Sequence, residues 1–556
     1  MTGLNHALPL VLVLGLFSCN GDPSKDTTAT DADTDTDTDS DTDSDTDTDT
    51  DTDTDTDTSP TTDVRFVWGD VIPCDDPAAS VTYEEIGASS GMVGARDQKP
   101  FIVNGGGAIA VDDFDQNGSL DIVTGFVGDP PVVYLNDGEE NFSTNPLPTP
   151  SAVVALTTAD VNGDGWVDLL IGGQGPPVLY LNDGAGGFAL GTLPAWSNAS
   201  HVKELAPMDI DRDGDVDLYA LIHGQGGVDD MADVVLWNEG QGTFVADESY
   251  VDRTLGGGQG FDAGWFDYDD DGDFDVYACN DNGALWGSNV LFEYDEGNLS
   301  EADCDCHVEH ACMGVDFADY NRDGLLDIFL TDASTHRLLT NFGDNTFYDA
   351  AQAVGVAHIN GIPEMAWGSV FLDWDNDSDQ DVLMAMGLAF AQDSEDDLPG
   401  DGVVLMSQDD SGMFEDVSVA LGLEQLGNYR STVAADFNED GVLDLLVSDV
   451  LKVPQLYVSE SCTANGWLAV EAPVGSKVQV SVGDETWVDW VTMEASQGAA
   501  QPAVAHFGLG DAQTIDELVV LVPESSTGVA STEWIELEHR GEMDARRVVT
   551  VDLFAK

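Results

Sequence analysis

The chain is predicted to be all-β: a seven-bladed β-propeller followed by a small β-sandwich-like domain. Three observations predict it. An acidic loop of the form D-x-[DN]-x-[DN]-G-x-x-D recurs seven times, starting at Asp113, Asp160, Asp209, Asp267, Asp319, Asp373 and Asp436, with Ser378 replacing the glycine in the sixth. Successive starts lie 47, 49, 58, 52, 54 and 63 residues apart, close to the roughly 40 to 50 residues that a four-stranded blade takes. Each loop runs into a short apolar segment rich in Val, Ile, Leu and Tyr, such as LDIVTGF, VDLLIGG and LDIFLTD, which reads as a strand.

In chain order, residues 1–19 come first. The apolar run from Ala7 to Phe17 ends in Leu16-Phe17-Ser18-Cys19 and is too short for an ordinary transmembrane helix. It resembles the lipobox of bacterial lipoproteins. That resemblance implies cleavage before Cys19, lipidation of Cys19, and an exported protein held to the cell envelope, at the outer membrane or cell surface, through its lipid alone; a plain secretory signal is the alternative. Residues 20–63 follow as a tether, almost pure Asp-Thr/Ser alternation from Asp31 to Thr58 with fourteen aspartates. Such a stretch buries nothing and repels itself, so it should be disordered and extended, with a reach of about 90 Å.

Residues 64–462 carry the repeats. Oxygen ligands at loop positions 1, 3, 5 and 9, with a backbone carbonyl at 7, supply the many-oxygen shell that Ca²⁺ prefers, and glycine at 6 allows the sharp turn. The candidate ligands are Asp113, Asp115, Asn117 and Asp121 in the first loop; Asp160, Asn162, Asp164 and Asp168 in the second; and Asp209, Asp211, Asp213 and Asp217 in the third. Asp267, Asp269, Asp271 and Asp275 follow in the fourth, Asp319, Asn321, Asp323 and Asp327 in the fifth, Asp373, Asp375, Asp377 and Asp381 in the sixth, and Asp436, Asn438, Asp440 and Asp444 in the seventh. An EF-hand would need a bidentate Glu at position 12, where this chain has Thr124, Ile171, Ala220, Ala278, Leu330, Met384 and Val447. These are therefore calcium-binding hairpin loops. Ser378 should strain the sixth turn and make it the weakest site.

A second landmark reads Y-L-N-D-G-x-x-x-F at Tyr134 to Phe142 and Tyr180 to Phe188, with variants at Leu236 to Phe244 and Leu339 to Phe347; its Asn/Asp-Gly pairs are hairpin turns. A third reads FEDVSVALGL from Phe414 and FYDAAQAVGV from Phe347, and its copy YEEIGASSGM from Tyr83 precedes the first loop. The N-terminal segment should thus supply a strand to the closing blade. With these landmarks the repeats resemble the FG-GAP and VCBS repeats of integrin α-chain propellers and of many bacterial surface proteins.

Charge agrees with calcium. The chain has 107 acids against 16 bases, a net −91, and so much like charge destabilises a compact fold unless counter-ions enter. The seven loops hold 24 carboxylates at the ligand positions. Nucleic acid is excluded as a partner for want of a basic face.

With Cys19 assigned to lipid, Cys74, Cys279, Cys304, Cys306, Cys312 and Cys462 form an even set in an exported chain, which favours disulfides. Cys74 and Cys462 flank the repeats and suit a ring-closing clasp. The run CDCHVEHAC from Cys304 also holds His307 and His310, and a transition metal is its alternative. Residues 463–556 alternate as strands, and AHFGLGDAQTIDELVVLVP from Ala505 resembles the ASPIC/UnbV domain of the cartilage acidic protein family. The Gly/Ser/Gln-rich turn of that domain is reduced here to EASQGAAQP. His506 reads as structural.

Catalytic readings are weak. Gly87-Ala88-Ser89-Ser90-Gly91 matches G-x-S-x-G, but alignment of the repeats sets Ser89 opposite Ala420 and Ala353. His223-Gly224-Gln225-Gly226-Gly227 reads as an inter-strand loop. The expected function is non-enzymatic recognition or adhesion at the cell surface, with an extracellular protein or glycan as ligand; the alternative is a propeller hydrolase or lyase. Segments from Gly283 to His310 and from Ala389 to Gly402 read as insertions that could build either a binding rim or an active-site wall.

Overall fold

A computed structural model describes residues 64–553, apart from 75–76, 79, 93–105, 149–152, 197–201, 225–231, 253–258, 282–287, 296–297, 360–364, 388–401, 424, 451 and 529. The lipobox, the tether and the Ala389–Gly402 segment lie wholly or almost wholly outside the described residues. The fold is nearly all β.

Seven antiparallel sheets follow the seven loops. In the first, Ala108–Asp112, Asp121–Phe126, Asp129–Asn136 and Phe142–Pro146 pair in sequence order. The innermost strands of the others are Val153–Ala159, Val202–Met208, Gly260–Phe266, Cys312–Ala318, Ala366–Leu372 and Tyr429–Ala435. Each lies beside the next, and the last lies beside Ala108–Asp112, so the ring closes into a β-propeller. Second strands such as Asp168–Gly173 and Asp327–Asp332 are buried along their whole length. A blade is covered on both faces by its neighbours, which is why these strands are continuous apolar runs and do not alternate. Aromatic rings fill the seams, as where Phe266 of the fourth blade stacks on Phe317 of the fifth with centroids 4.1 Å apart.

The ring is shut by chain ends. Tyr83–Glu85 pairs antiparallel with Gln455–Ser459 and becomes the outer strand of the seventh blade. Cys74 and Cys462 are disulfide-bonded beside it, Cα to Cα 5.9 Å. The GASSG string after that strand forms a turn in which Ser89 Oγ donates to Ile86 O at 2.9 Å, and no strand-to-helix elbow is present there. Cys279 pairs with Cys312 and Cys304 with Cys306. Cys304, Cys306 and His307 are close enough to surround an ion, but with the two sulfurs bonded to each other no thiolate is left to bind one.

Two readings are corrected. Gly283 to His310 is not an insertion, for it contains Val290–Asp295 and Asn298–Glu301, the third and fourth strands of the fourth blade. Residues 64–68 do not belong with the blades: Arg65–Trp68 pairs with Arg547–Asp552. That pair continues through Trp467–Glu471 to Val504–Gly508 in one four-stranded sheet. A second sheet, Glu485–Trp490, Lys477–Val482, Thr514–Pro523 and Trp534–Asp544, packs on it around Leu468, Val470, Val480, Leu518, Val520 and Val549. The C-terminal domain is this sandwich.

Its EASQGAAQP segment is no mere turn. Ala499–Ala500 adds a parallel strand on the inner edge of the first blade, so residues 496–500 lie in the central channel. Ser496 Oγ accepts from Thr432 N and donates to Thr432 O, each at 2.8 Å. Ser431 Oγ donates to Gln497 O, and Gly498 N donates to Glu204 Oε2 at 2.9 Å. Gly498 has φ +66, and a Cβ there would lie 2.4 Å from Val154 O, so only glycine fits. Among the described residues no helix is long and apolar enough to cross a membrane.

The clasp closes a sequence separation of 388 residues, and such cross-links act by restricting the unfolded chain. The Cys74→Ser/Cys462→Ser variant is expected to lose about 2 to 5 kcal/mol of stability, read from the denaturant midpoint of the non-reduced protein. An unchanged midpoint would mean that the strand from Tyr83 closes the ring alone.

Candidate metal loops

Each acidic loop connects the first and second strands of its blade and folds around its own backbone. The position 1 carboxylate accepts the amides of positions 5 and 6: Asp113 from Asn117 and Gly118 at 3.1 and 2.8 Å, Asp319 from Asp323 and Gly324, both at 2.9 Å. Asp160, Asp209, Asp267, Asp373 and Asp436 repeat the pattern. Position 9 is the hinge. Its Oδ1 accepts the last or next-to-last amide of the third strand, Asn136 for Asp121, Asn182 for Asp168, Asn238 for Asp217 and Asn341 for Asp327, at 2.7 to 2.8 Å. Asp275, Asp381 and Asp444 do the same with Tyr294, Gln408 and Ser459. In six loops its Oδ2 also accepts the amide of position 2.

These groups crowd negative charge into buried space. Burial pushes Asp121 and Asp168 up to about 7, Asp217 to about 8 and Asp327 to about 9, against hydrogen bonds that oppose the shift. Neighbouring loop carboxylates add to it. Asp275, Asp381 and Asp444 are raised for the same reason. Carboxyl oxygens come together closely enough to hold an ion in Asp113/Asp115/Asp121, Asp209/Asp211/Asp217, Asp267/Asp269/Asp271 and Asp373/Asp375/Asp381. The loops at Asp160, Asp319 and Asp436 have Asn at position 3, whose amide oxygen is an equivalent hard donor. A cation in such a loop would relieve the desolvated charge, so the donor set fits a hard divalent ion.

Two features were not foreseen from sequence. Position 4 has positive φ in every loop: Gln116 51°, Gly163 71°, Arg212 57°, Asp270 60°, Arg322 59°, Asn376 59° and Glu439 57°. That conformation turns the side chain toward the next blade. Gln116 donates to Gly165 O at 2.7 Å, Arg212 to Gly272 O, Arg322 to Ser378 O at 2.6 Å and Asn376 to Gly441 O at 2.8 Å. Each acceptor is the position 6 carbonyl of the following loop. The series stops at Gly163, Asp270 and Glu439, which have no donor. The only available signal was an amide or guanidinium at position 4. Second, the landmark asparagines do more than turn a hairpin: Asn182, Asn238 and Asn341 donate to Phe114 O, Val161 O and Tyr268 O of the preceding loop at 2.8 to 2.9 Å.

Ser378 adopts φ 80, the strain expected of it, yet the sixth loop is firmly held. Arg322 binds its carbonyl, its Oγ and Asp379. From the sandwich, Asn465 Nδ2 donates to Asp375 O and Gly510 N to Asn376 O. Other loops also touch the sandwich: Arg212 lies over Trp534, 4.9 Å from its ring centroid, and Lys477 pairs with Asp270. His506 stacks on Trp467 and is pushed down to about 4 by burial. His223 Nδ1 meets Gly260 O at 3.1 Å.

Comparison with known proteins agrees with this anatomy. A model of the FG-GAP-like repeat matches residues 113–171, 160–220, 267–330 and 319–384, and one described as ASPIC and UnbV matches 470–534. Cartilage acidic protein 1 of Mus musculus is 27% identical over 258 residues, covering 42% of this chain and 38% of that protein. Its Homo sapiens counterpart is 26% identical over 256 residues, covering 42% and 37%. The chain therefore spans under two fifths of these curated relatives. Among solved structures, an Agrocybe aegerita protein described for recognition of non-reducing terminal N-acetylglucosamine aligns over 61% of this chain and 88% of its own, at 17% identity and TM-score 0.39. BBS1N in complex with ARL6DN aligns over 65% and 94%, at 9% identity and TM-score 0.41.

The loop-to-loop bonds should matter to stability in proportion to their charge and burial. Arg322→Met is expected to cost about 1 to 3 kcal/mol and Gln116→Met about 0.5 to 1.5 kcal/mol, read from urea midpoints. Support from Arg322, Asn465 and Gly510 also implies that Asp375→Ala costs at least as much as Asp269→Ala, against the order Ser378 alone suggests. A clearly smaller loss for Asp375→Ala would restore the sequence-based ranking.

Proposed function

We propose that this chain of FG-GAP-like repeats, closed by an ASPIC and UnbV segment, is a calcium-stabilised recognition module that binds an extracellular protein or glycan without catalysis. The observation that carries the reading is the commitment of the acids. The loop carboxylates accept backbone amides and in four loops gather around a common centre, and a hydroxyl that meets one of them, Ser459 Oγ donating to Asp440 at 2.8 Å, caps the end of a blade strand. Calcium is the ion the loops suit best, because it accepts many oxygen ligands in flexible geometry. The apolar N-terminal run and the Asp/Thr tether support export and display, with lipid at Cys19 as the anchor.

Access favours one face. The sandwich sits against the third, fourth, sixth and seventh loops and its segment 496–500 occupies the channel, so a large partner meets the opposite end of the blades. There Lys203 lies 4.5 Å from the centroid of Phe261 and Arg430 lies 4.0 Å from that of Trp367. The exposed turn at Ser334, between the second and third strands of the fifth blade, stands on that face.

Chelation should lower the melting temperature by many degrees, calcium should restore it, and magnesium should restore it poorly because it prefers small octahedral shells. An unchanged melt in excess chelator would sink the calcium reading. In a protein and glycan binding screen of the calcium-loaded chain, Ser334→Arg should weaken a partner at least about tenfold, whereas Tyr348→Ala on the outer rim and Ser89→Ala should not. Turnover of an ester, glycan or phosphodiester, abolished by one substitution outside the loops, would favour the enzyme instead.

A further inference from the structure

A cavity of about 440 Å³ lies between the loop face of the propeller and the sandwich. This is within the size range of small-molecule sites. Seven carboxylates line it, and no lysine or arginine does. Three of the seven, Asp319, Asp373 and Asp436, head metal loops; Asp316, Asp489, Glu439 and Glu471 do not. Asp316 and Asp489 retain partial exposure although they stand deep in the molecule, on an inner strand and on a sandwich strand facing it. Asp316 Oδ2 accepts Phe371 N at 2.5 Å, and the Phe317 amide also bonds to the carboxylate. Burial raises its pKa well above the usual carboxylate range, and Asp489 adds to the shift.

The remaining wall is largely aliphatic, with Val67, Leu326, Val370, Leu443 and Val504, and carries an aromatic patch whose Trp490 ring also lies 5.1 Å from Lys477 Nζ. Phe266 and Phe317 form the stacked pair described above, and Trp265 and Trp490 stand with them. His506, also lining the space, is held neutral by burial. Gly118 of the first loop and Glu439 of the seventh line the cavity, at the seam where the position 4 donors are interrupted. Exposed Glu471 and the strand at Val67 flank the same opening.

The geometry points to a second binding site here, for a small organic cation: an ammonium compound with an apolar body. Carboxylates with no protein cation beside them favour a positive charge and reject an anion. Aromatic faces attract an ammonium group and bury its hydrocarbon, which a hydrated metal ion does not exploit. The site is separate from the recognition face proposed above and does not depend on it.

The test uses the full chain saturated with calcium, so that the loops are filled. Choline and phenethylammonium are titrated by calorimetry beside 3,3-dimethylbutanol, the neutral isostere of choline. One equivalent of each cation is expected to bind with Kd below about 1 mM, and the isostere at least about tenfold more weakly. Asp489→Asn and Glu471→Gln should each weaken the cations several-fold to about tenfold, while Glu415→Gln on the outer surface changes nothing. Asp316→Asn keeps the acceptor for Phe371 N and serves as a third variant if its melt is unchanged. Equal binding of isostere and cation would overturn the proposal, as would absence of binding up to about 10 mM. So would binding indifferent to both Asp489→Asn and Glu471→Gln, or binding that disappears as the loops fill with calcium.

Discussion

Every blade hangs on one buried carboxylate. The ninth residue of each acidic loop joins the third strand through Oδ1 and, in six loops, the loop's own second amide through Oδ2. A charge-assisted bond of this kind is stronger than a neutral one, but it places an anion where water cannot reach it. In four loops carboxylates converge closely enough to surround an ion. The bonds that join the strands thus also gather the carboxylates that could hold a metal ion.

That local arrangement is linked around the ring. Position 4 side chains reach the next loop from Gln116, Arg212, Arg322 and Asn376, and the landmark asparagines reach back to the preceding one. Neighbouring loops share hydrogen-bond partners, so a change in one should be felt in the next. The sandwich then rests on several loops and sends 496–500 into the channel, where Glu204, Ser431 and Thr432 receive it. A propeller whose channel is filled by its own C-terminal domain has its ends, its centre and one face tied together by contacts far apart in sequence.

Most of the blade architecture was legible. Loop spacing located the repeats, the position 12 residues excluded an EF-hand, and the copy of the outer-strand landmark at Tyr83 foretold the strand that closes the seventh blade. The clasp of Cys74 with Cys462 followed from their places on either side of the repeats. Less was visible where a segment had no repeat to compare with. Gly283 to His310 looked like an insertion because its third and fourth strands lack the Y-L-N-D-G signature. Arg65–Trp68 looked like part of the propeller because it precedes the blades in the chain, although it completes a sheet with Arg547–Asp552.

The sequence by itself determined what local chemistry repeats: the loop donors, the turn residues and the apolar strands, since each depends on residues within one repeat. Only the tertiary structure decided what joins the repeats and what covers them. The left-handed residue at position 4 carries no composition signal beyond its side-chain type, and its partner is a backbone carbonyl, which every residue has. EASQGAAQP has the small residues of a turn, yet it enters the channel, where Gly498 stands against Val154 O with no room for a Cβ. Likewise the cavity beside Asp316 and Asp489 exists only because two domains close over it, bringing together side chains 173 positions apart.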